Sequence, residues 1–170
     1  MNAPPPPLLE VTNLRVSFFT ADGVVGAVQN ISFTIARGRT LALVGASGAG
    51  KSVTANSLLR IVPAPCRIVG GRILLRSRRE GDIDLSQLDE KSGLLYRVRG
   101  GLVSMIFQEP MAALSPVHSV GSQVAEAILT HQDVSPAAAR RRTIEMLGQV
   151  GIADAATRYE QFPHELSGGL

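Results

Sequence analysis

Gly45-Ala46-Ser47-Gly48-Ala49-Gly50-Lys51-Ser52 fits the pattern G-x-x-x-x-G-K-[ST], in which small residues let a loop wrap a polyphosphate. Glycine reaches positive φ and lets the backbone come close, so successive N–H groups can point at one anion. Lys51 brings a point charge to the β- and γ-phosphates, and the Ser52 hydroxyl suits Mg²⁺. The apolar run Thr40-Leu41-Ala42-Leu43-Val44 leads straight into the glycines and predicts a short buried strand. Ser52 to Leu59 predicts a helix with Val53, Leu58 and Leu59 on its apolar side, so its positive dipole end faces the same phosphates. The plainer reading is a glycine-rich turn that happens to hold a lysine. Only Lys51 and Lys91 occur in the chain, so Lys51 is not one of a crowd. Gly45 to Ser52, with Val53 beside them, are the candidate nucleotide-binding residues.

The chain has 170 residues, 45% hydrophobic and 18% charged, the size and balance of one globular domain. No apolar run is long enough for a bilayer, and the N-terminus has no basic region followed by an apolar core. Residues 1–7 form a proline-rich tail. The single cysteine, Cys66, excludes an internal disulfide and suits a reducing compartment, which makes the cytoplasm the expected location. Cys66 reads as a loop or core thiol, because no partner for a nucleophile can be named. Charge is uneven. Between Val11 and Arg79 ten basic residues face Asp22 alone, while from Glu80 onward seven face twelve acidic ones. A basic front half can attract nucleic acid, but no aromatic interleaving or base-reading motif accompanies it, so nucleic acid is not expected as a partner.

Leu8 to Phe19 alternates as a strand, Ala21-Asp22-Gly23 turns, and Val24 to Val28 returns as a hairpin arm. Asn30 to Ala36 predicts another strand before the Arg37-Gly38 turn. Pro63-Ala64-Pro65 ends the first helical region, and Gly70-Gly71 precedes a strand at Arg72–Leu75. Ser77 to Asp84 predicts a charged loop. Ser86 to Val98 predicts a helix capped by Ser86, and Leu102 to Phe107 a buried strand. Helices follow: Ser119–His131, then Ser135-Pro136 opening a helix to Val150 with Gly151 as its stop, then Ala153–Phe162 ended by Pro163. The run Arg140-Arg141-Arg142 reads as a solvated face.

Two further motifs extend the phosphate loop. Met105-Ile106-Phe107-Gln108-Glu109-Pro110-Met111 and Leu166-Ser167-Gly168-Gly169 follow it in order. With Leu114-Ser115-Pro116-Val117-His118 and Phe162-Pro163-His164-Glu165, the chain from Leu8 to Leu170 resembles the ATP-binding subunit of an ABC transporter, in the oligopeptide, dipeptide and nickel importer branch that includes microcin-type peptide uptake. The resemblance implies an α/β fold: a P-loop NTPase core of ABC type, with an antiparallel β subdomain at the front, an α-helical subdomain at the end, and the C-terminal part of the core missing. Residues 8–110 would hold the β subdomain and P-loop core, and 111–170 the helical subdomain.

It also implies ATP and Mg²⁺ as cofactors. Phe18, or its neighbour Phe19, would stack on adenine, though a strand residue in the core explains either one as well. Gln108 would touch Mg²⁺ or the attacking water, and an amide suits that place because it donates and accepts without taking charge. Lys51 and Gln108 are the catalytic candidates. Ser167, Gly168 and Gly169 would bind the γ-phosphate held by a second ABC ATPase subunit or half. Membrane permease subunits would be direct partners and a periplasmic solute-binding protein an indirect one. The location implied is cytoplasmic, peripheral on the inner face of the cell membrane.

One departure matters. The family needs, after the signature that Leu166-Ser167-Gly168-Gly169 matches, an Asp to order Mg²⁺, a Glu to polarise water and a histidine on the γ-phosphate. None of these follows Leu170, and Glu109 does not replace them, because Gln108 would then stand where a metal-binding carboxylate must be. The expectation is ATP binding with little independent turnover. A non-catalytic nucleotide- or subunit-binding fragment is the alternative, and an ABC-type ATPase acting on nucleic acid another.

Overall fold

The computed structural model describes residues 5–108 and 113–166, and the chain divides into two compact units after Leu102. The first unit is built on a four-stranded antiparallel sheet in the order β2-β1-β3-β4. Its strands are β1 (Leu9–Thr20), β2 (Gly23–Ile35), β3 (Cys66–Ser77) and β4 (Gly81–Asp84).

The pattern of β1 explains its shape. Leu9 and Val11 are buried at odd positions, Leu14 and Val16 at even ones, so simple alternation would send one pair into solvent. A bulge between Val11 and Leu14 restores the inward face. Asn13 takes φ 49° there, and its backbone N–H donates to Ser32 Oγ at 2.8 Å. On the opposite strand, Gly71 (φ 93°) lies so close that an added Cβ would sit 2.5 Å from the Asn13 carbonyl oxygen. Only glycine fits that crossing. This is why Gly70-Gly71, expected to precede a strand, lies inside β3 instead.

The hairpin arm expected at Val24–Val28 and the separate strand expected at Asn30–Ala36 form one strand, β2, kinked where Asn30 takes φ 58°. The loop expected at Ser77–Asp84 contains β4, whose Ile83 is buried opposite Leu75. The helix expected from Ser86 to Val98 is a 3-10 turn at Leu85–Gln87 followed by α2 (Gly93–Val98). The cause is local. Ser86 donates both its N–H (3.1 Å) and its hydroxyl (2.6 Å) to Asp84 Oδ1, which makes a capped turn of its own. Ser92 then caps α2, accepting from Leu95 N–H at 3.1 Å. The helix after the phosphate loop is α1 (Lys51–Leu58), one residue off the expected start and end.

Two expected strands are absent. Thr40–Val44 and Leu102–Phe107 have no strand assignment, and Val44 is 89% and Ile106 93% exposed. An apolar run becomes a strand only where neighbours take up its N–H and C=O groups. The four described strands pair with each other, and none pairs with either run.

The second unit holds α3 (Val120–His131), α4 (Pro136–Gln149) and α5 (Ala155–Glu160). Ser119 and Ser135 cap the first two, accepting from Ser122 N–H (3.2 Å) and Ala138 N–H (3.3 Å), with Pro136 at the first helical position. Gly151 (φ 85°) stops α4 as expected. Ala125, Ile128 and Ala139 pack with Val134 and Tyr159. Gly121 leaves room for the Tyr159 ring, which would lie 2.1 Å from any Cβ added there. Arg140, Arg141 and Arg142 are exposed as expected. Arg140 lies 4.8 Å from the Tyr159 ring centre and bonds Glu160 at 2.6 Å.

Candidate phosphate-binding site

The phosphate loop joins residues without regular structure to α1, and two left-handed glycines shape it. Gly48 takes φ 79°, and Gly50, the N-cap of α1, takes φ 83° and ψ 7°. Gly50 also lies against β2: a Cβ there would be 2.4 Å from the Ala27 carbonyl oxygen. Conformation and space both exclude a side chain. Ala49 N–H donates to the Ala46 carbonyl at 3.2 Å, tightening the bend. The Gly50 carbonyl accepts from Thr54 N–H (2.8 Å) and Thr54 Oγ1 (2.9 Å), which fixes the first turn of the helix.

The Lys51 ammonium folds over the loop. It donates to the Gly45 carbonyl at 2.8 Å and the Ala46 carbonyl at 2.6 Å. No acidic side chain stands in the first turn of α1, so the positive end of the helix is uncompensated. Ser52 is exposed on that turn and Val53 is half-buried. This donor set fits a polyphosphate: glycines, an ammonium and a helix N-terminus around one concavity. It also fits Mg²⁺ as a hydroxyl-plus-phosphate site. No cluster of three His, Cys, Asp or Glu side chains exists among the described residues, so nothing there forms an all-protein metal cage.

A cleft of about 400 Å³ opens beside the loop, between Gly48, Ala49, Lys51 and Thr54 on one side and β2 residues 26–29 on the other. Neither Phe18 nor Phe19 lines it. Phe18 is half-buried, paired across strands with Val25 and Cys66. Phe19 is 40% exposed, with the Arg67 guanidinium 5.5 Å from its ring centre. Cys66 is buried, and that burial pushes its thiol pKa up, away from a nucleophile's range.

Of the candidate set, the structure brings together Gly45 to Val53. Gln108 is exposed and belongs to the second unit. Glu109, Pro110 and Met111 lie outside the described residues, as do Ser167, Gly168 and Gly169. Sequence reading missed the β2 wall of the cleft. Its signal was weak: two extra residues in an alternating strand, visible only once the partner's register is known.

The ABC transporter family model matches residues 28–170, from β2 through the phosphate loop to the last residue. The chain belongs to the ABC transporter family. Among its curated relatives, the dipeptide transport ATP-binding protein DppD of Bacillus subtilis (strain 168) is 44% identical over 164 residues, covering 96% of this chain and 47% of the relative. The oligopeptide transport ATP-binding protein OppD of the same organism is 42% identical, covering 96% of this chain and 44% of the relative. The peptidoglycan transport ATP-binding protein YejF of Agrobacterium fabrum is 44% identical over 96% of this chain and 29% of its own length. This ABC-family chain thus spans about half the length of DppD and OppD. Its fold is similar to that of the ATP-binding cassette MJ0796, solved as a dimer bound to ADP and Pi. The TM-score is 0.76 at 20% identity, with 95% of this chain and 64% of that one covered. The α/β cassette fold is therefore shared, with an antiparallel sheet and helices around a phosphate loop. No helix among the described residues is long and apolar enough to cross a membrane.

Proposed function

We propose that this chain supplies the ATP-binding part of an ABC importer for peptides. The observation that carries the reading is the loop itself: Gly48 and Gly50 in left-handed conformation, with Lys51 drawn over the Gly45 and Ala46 carbonyls. The names of DppD and OppD, ATP-binding proteins of dipeptide and oligopeptide transport, support the solute class.

Lys51 would hold the β- and γ-phosphates, Gly45 to Gly50 would offer backbone N–H groups, and Ser52 would ligate Mg²⁺, with Val53 beside it. Mg²⁺ would screen the phosphate charge during hydrolysis. Gln108 would sense the γ-phosphate end, and Phe18 would stack on the base. Ser167, Gly168 and Gly169 would serve a nucleotide held by a second ATPase subunit, so the working unit is a dimer. Permease subunits would receive the motion and a periplasmic binding protein would deliver the solute, with this chain peripheral on the inner face of the membrane.

One measurement tests the nucleotide reading. Mg-ATP should raise the melting temperature of the 170-residue chain, and Lys51→Ala should abolish the rise. No ATP-dependent shift in the unaltered chain would sink the nucleotide reading.

A further inference from the structure

Val28 in β2 is flanked by two irregularities. Gly26 pairs with Ser17 and Val28 with Val16, leaving Ala27 as an extra residue; Ile31 pairs with Leu14, leaving Gln29 and Asn30 opposite Arg15 alone. Asn30 completes the second bulge at φ 58°. Bulges re-aim side chains, and both effects are visible here. The Ala27 carbonyl turns toward Gly50, where it excludes any Cβ. The exposed Gln29 side chain folds back over Gly26, its Nε2 lying 3.0 Å from where a Cβ on Gly26 would stand.

Gln29 thereby joins the wall of the cleft beside Lys51. Among the described residues, the polar side chains lining that cleft are Gln29, Lys51 and Thr54. The Lys51 ammonium is engaged with loop carbonyls and the Thr54 hydroxyl with the Gly50 carbonyl. The Gln29 carboxamide has no hydrogen-bond partner among the described residues. Its neighbours in the wall are apolar or glycine, including Val28, Ile31, Leu43 and Val44. A carboxamide can donate and accept at once, which suits a sugar hydroxyl or a base edge, groups that offer both roles.

We infer that Gln29 is the residue that reads the nucleoside, hydrogen-bonding its polar edge while Lys51 and the glycine loop hold the phosphates. This rests on the nucleotide reading above and assigns the other end of the same ligand. Gln29 acts as a specificity group, and its amide leaves the loop chemistry untouched.

The test compares Mg-ATP with Mg-tripolyphosphate, which presents phosphates and no nucleoside, on the unaltered chain and on Gln29→Leu, Gln29→Glu and Lys51→Ala. Titration calorimetry gives the affinities, and a thermal melt without ligand checks that each variant folds. Gln29→Leu should weaken ATP about three- to tenfold, the range of one net hydrogen bond, and leave tripolyphosphate within about twofold. Gln29→Glu sets a carboxylate beside the phosphates and should weaken ATP and tripolyphosphate alike, a charge effect that the neutral Gln29→Leu does not carry. With 2′-deoxy-ATP, disappearance of the Gln29→Leu effect assigns the contact to the 2′-hydroxyl, and persistence assigns it to the base or the 3′-hydroxyl. Unchanged ATP affinity in Gln29→Leu, or equal losses for ATP and tripolyphosphate in that variant, would overturn the assignment. A chain that binds tripolyphosphate independently of Lys51, or not at all, would instead remove the phosphate-loop reading beneath it.

Discussion

Arg99 Nε donates to the Leu59 carbonyl at 2.9 Å, and its Nη2 donates to the next carbonyl, that of Arg60, at 2.7 Å. One guanidinium thus closes the C-terminal end of α1, the helix whose N-terminus follows the glycine loop. Arg60 itself sits at φ 55°, and Ile61 N–H reaches back to the Asn56 carbonyl at 3.0 Å, so the helix ends in a tight left-handed turn. A cation at this end also suits the negative pole of the helix.

Arg99→Ala should therefore lower stability by about 2 kcal/mol, because two carbonyls lose charge-assisted donors. Arg99→Lys should recover only part, since one ammonium lacks the planar fork that spans both oxygens. Urea melts of the three proteins read this directly. Equal stability of Arg99→Ala and the unaltered chain would show that water replaces the guanidinium without loss.

Gly50→Ala and Gly48→Ala separate strain from crowding. Both residues take positive φ, but only Gly50 is pressed by another strand. Gly48→Ala should cost about 1 kcal/mol of strain. Gly50→Ala should cost more, on the order of 2–3 kcal/mol, and move β2 away from the loop. Thermal melts rank the two, and the reverse order would refute the close approach of Ala27.

Asp84 carries a pH dependence. Partial burial pushes its carboxyl pKa up, but the Ser86 hydroxyl and N–H and the Arg72 guanidinium at 2.8 Å outweigh this and hold it below the ordinary carboxylate value. A depressed folded-state pKa adds stability that is present above the unfolded value, about 3.9, and lost as pH falls through the folded one. Asp84→Asn should lower stability near neutral pH and flatten the acid side of the curve. A stability-versus-pH series from pH 7 to 2 on both proteins checks it.

Thr143 is fully buried in α4, and its hydroxyl has no hydrogen-bond partner among the described residues. Thr143→Val keeps the shape and removes the stranded polar group, so stability of the helical unit should rise by about 1 kcal/mol. Thr143→Ala should not match it, because it opens a gap. Hydrogen exchange along α4 locates the change.

What the sequence revealed was what short stretches decide alone. Ser119, and Ser135 with Pro136, set the starts of α3 and α4 within three residues of the apolar pattern, and both helices are where that pattern places them. The phosphate loop is legible for the same reason, since glycine positions and Lys51 determine it locally. Asn13 and Gly71 are different. Each looks unsuited to a strand interior until the other is known to cross it. Thr40–Val44 shows the converse: Leu41, Leu43 and Val44 have strand composition, yet composition supplies no partner, and the segment stays exposed without one. The two residues that bulge around Val28, and with them Gln29, fall in the same class.

The link from Lys51 to the Gly45 and Ala46 carbonyls has a thermodynamic consequence. Its ammonium is held by two hydrogen bonds, so its long side chain loses rotamer freedom on folding and not on binding. An arriving anion meets a charge already in position, and less ordering remains to be done at that step. The same two bonds raise the barrier to straightening the loop.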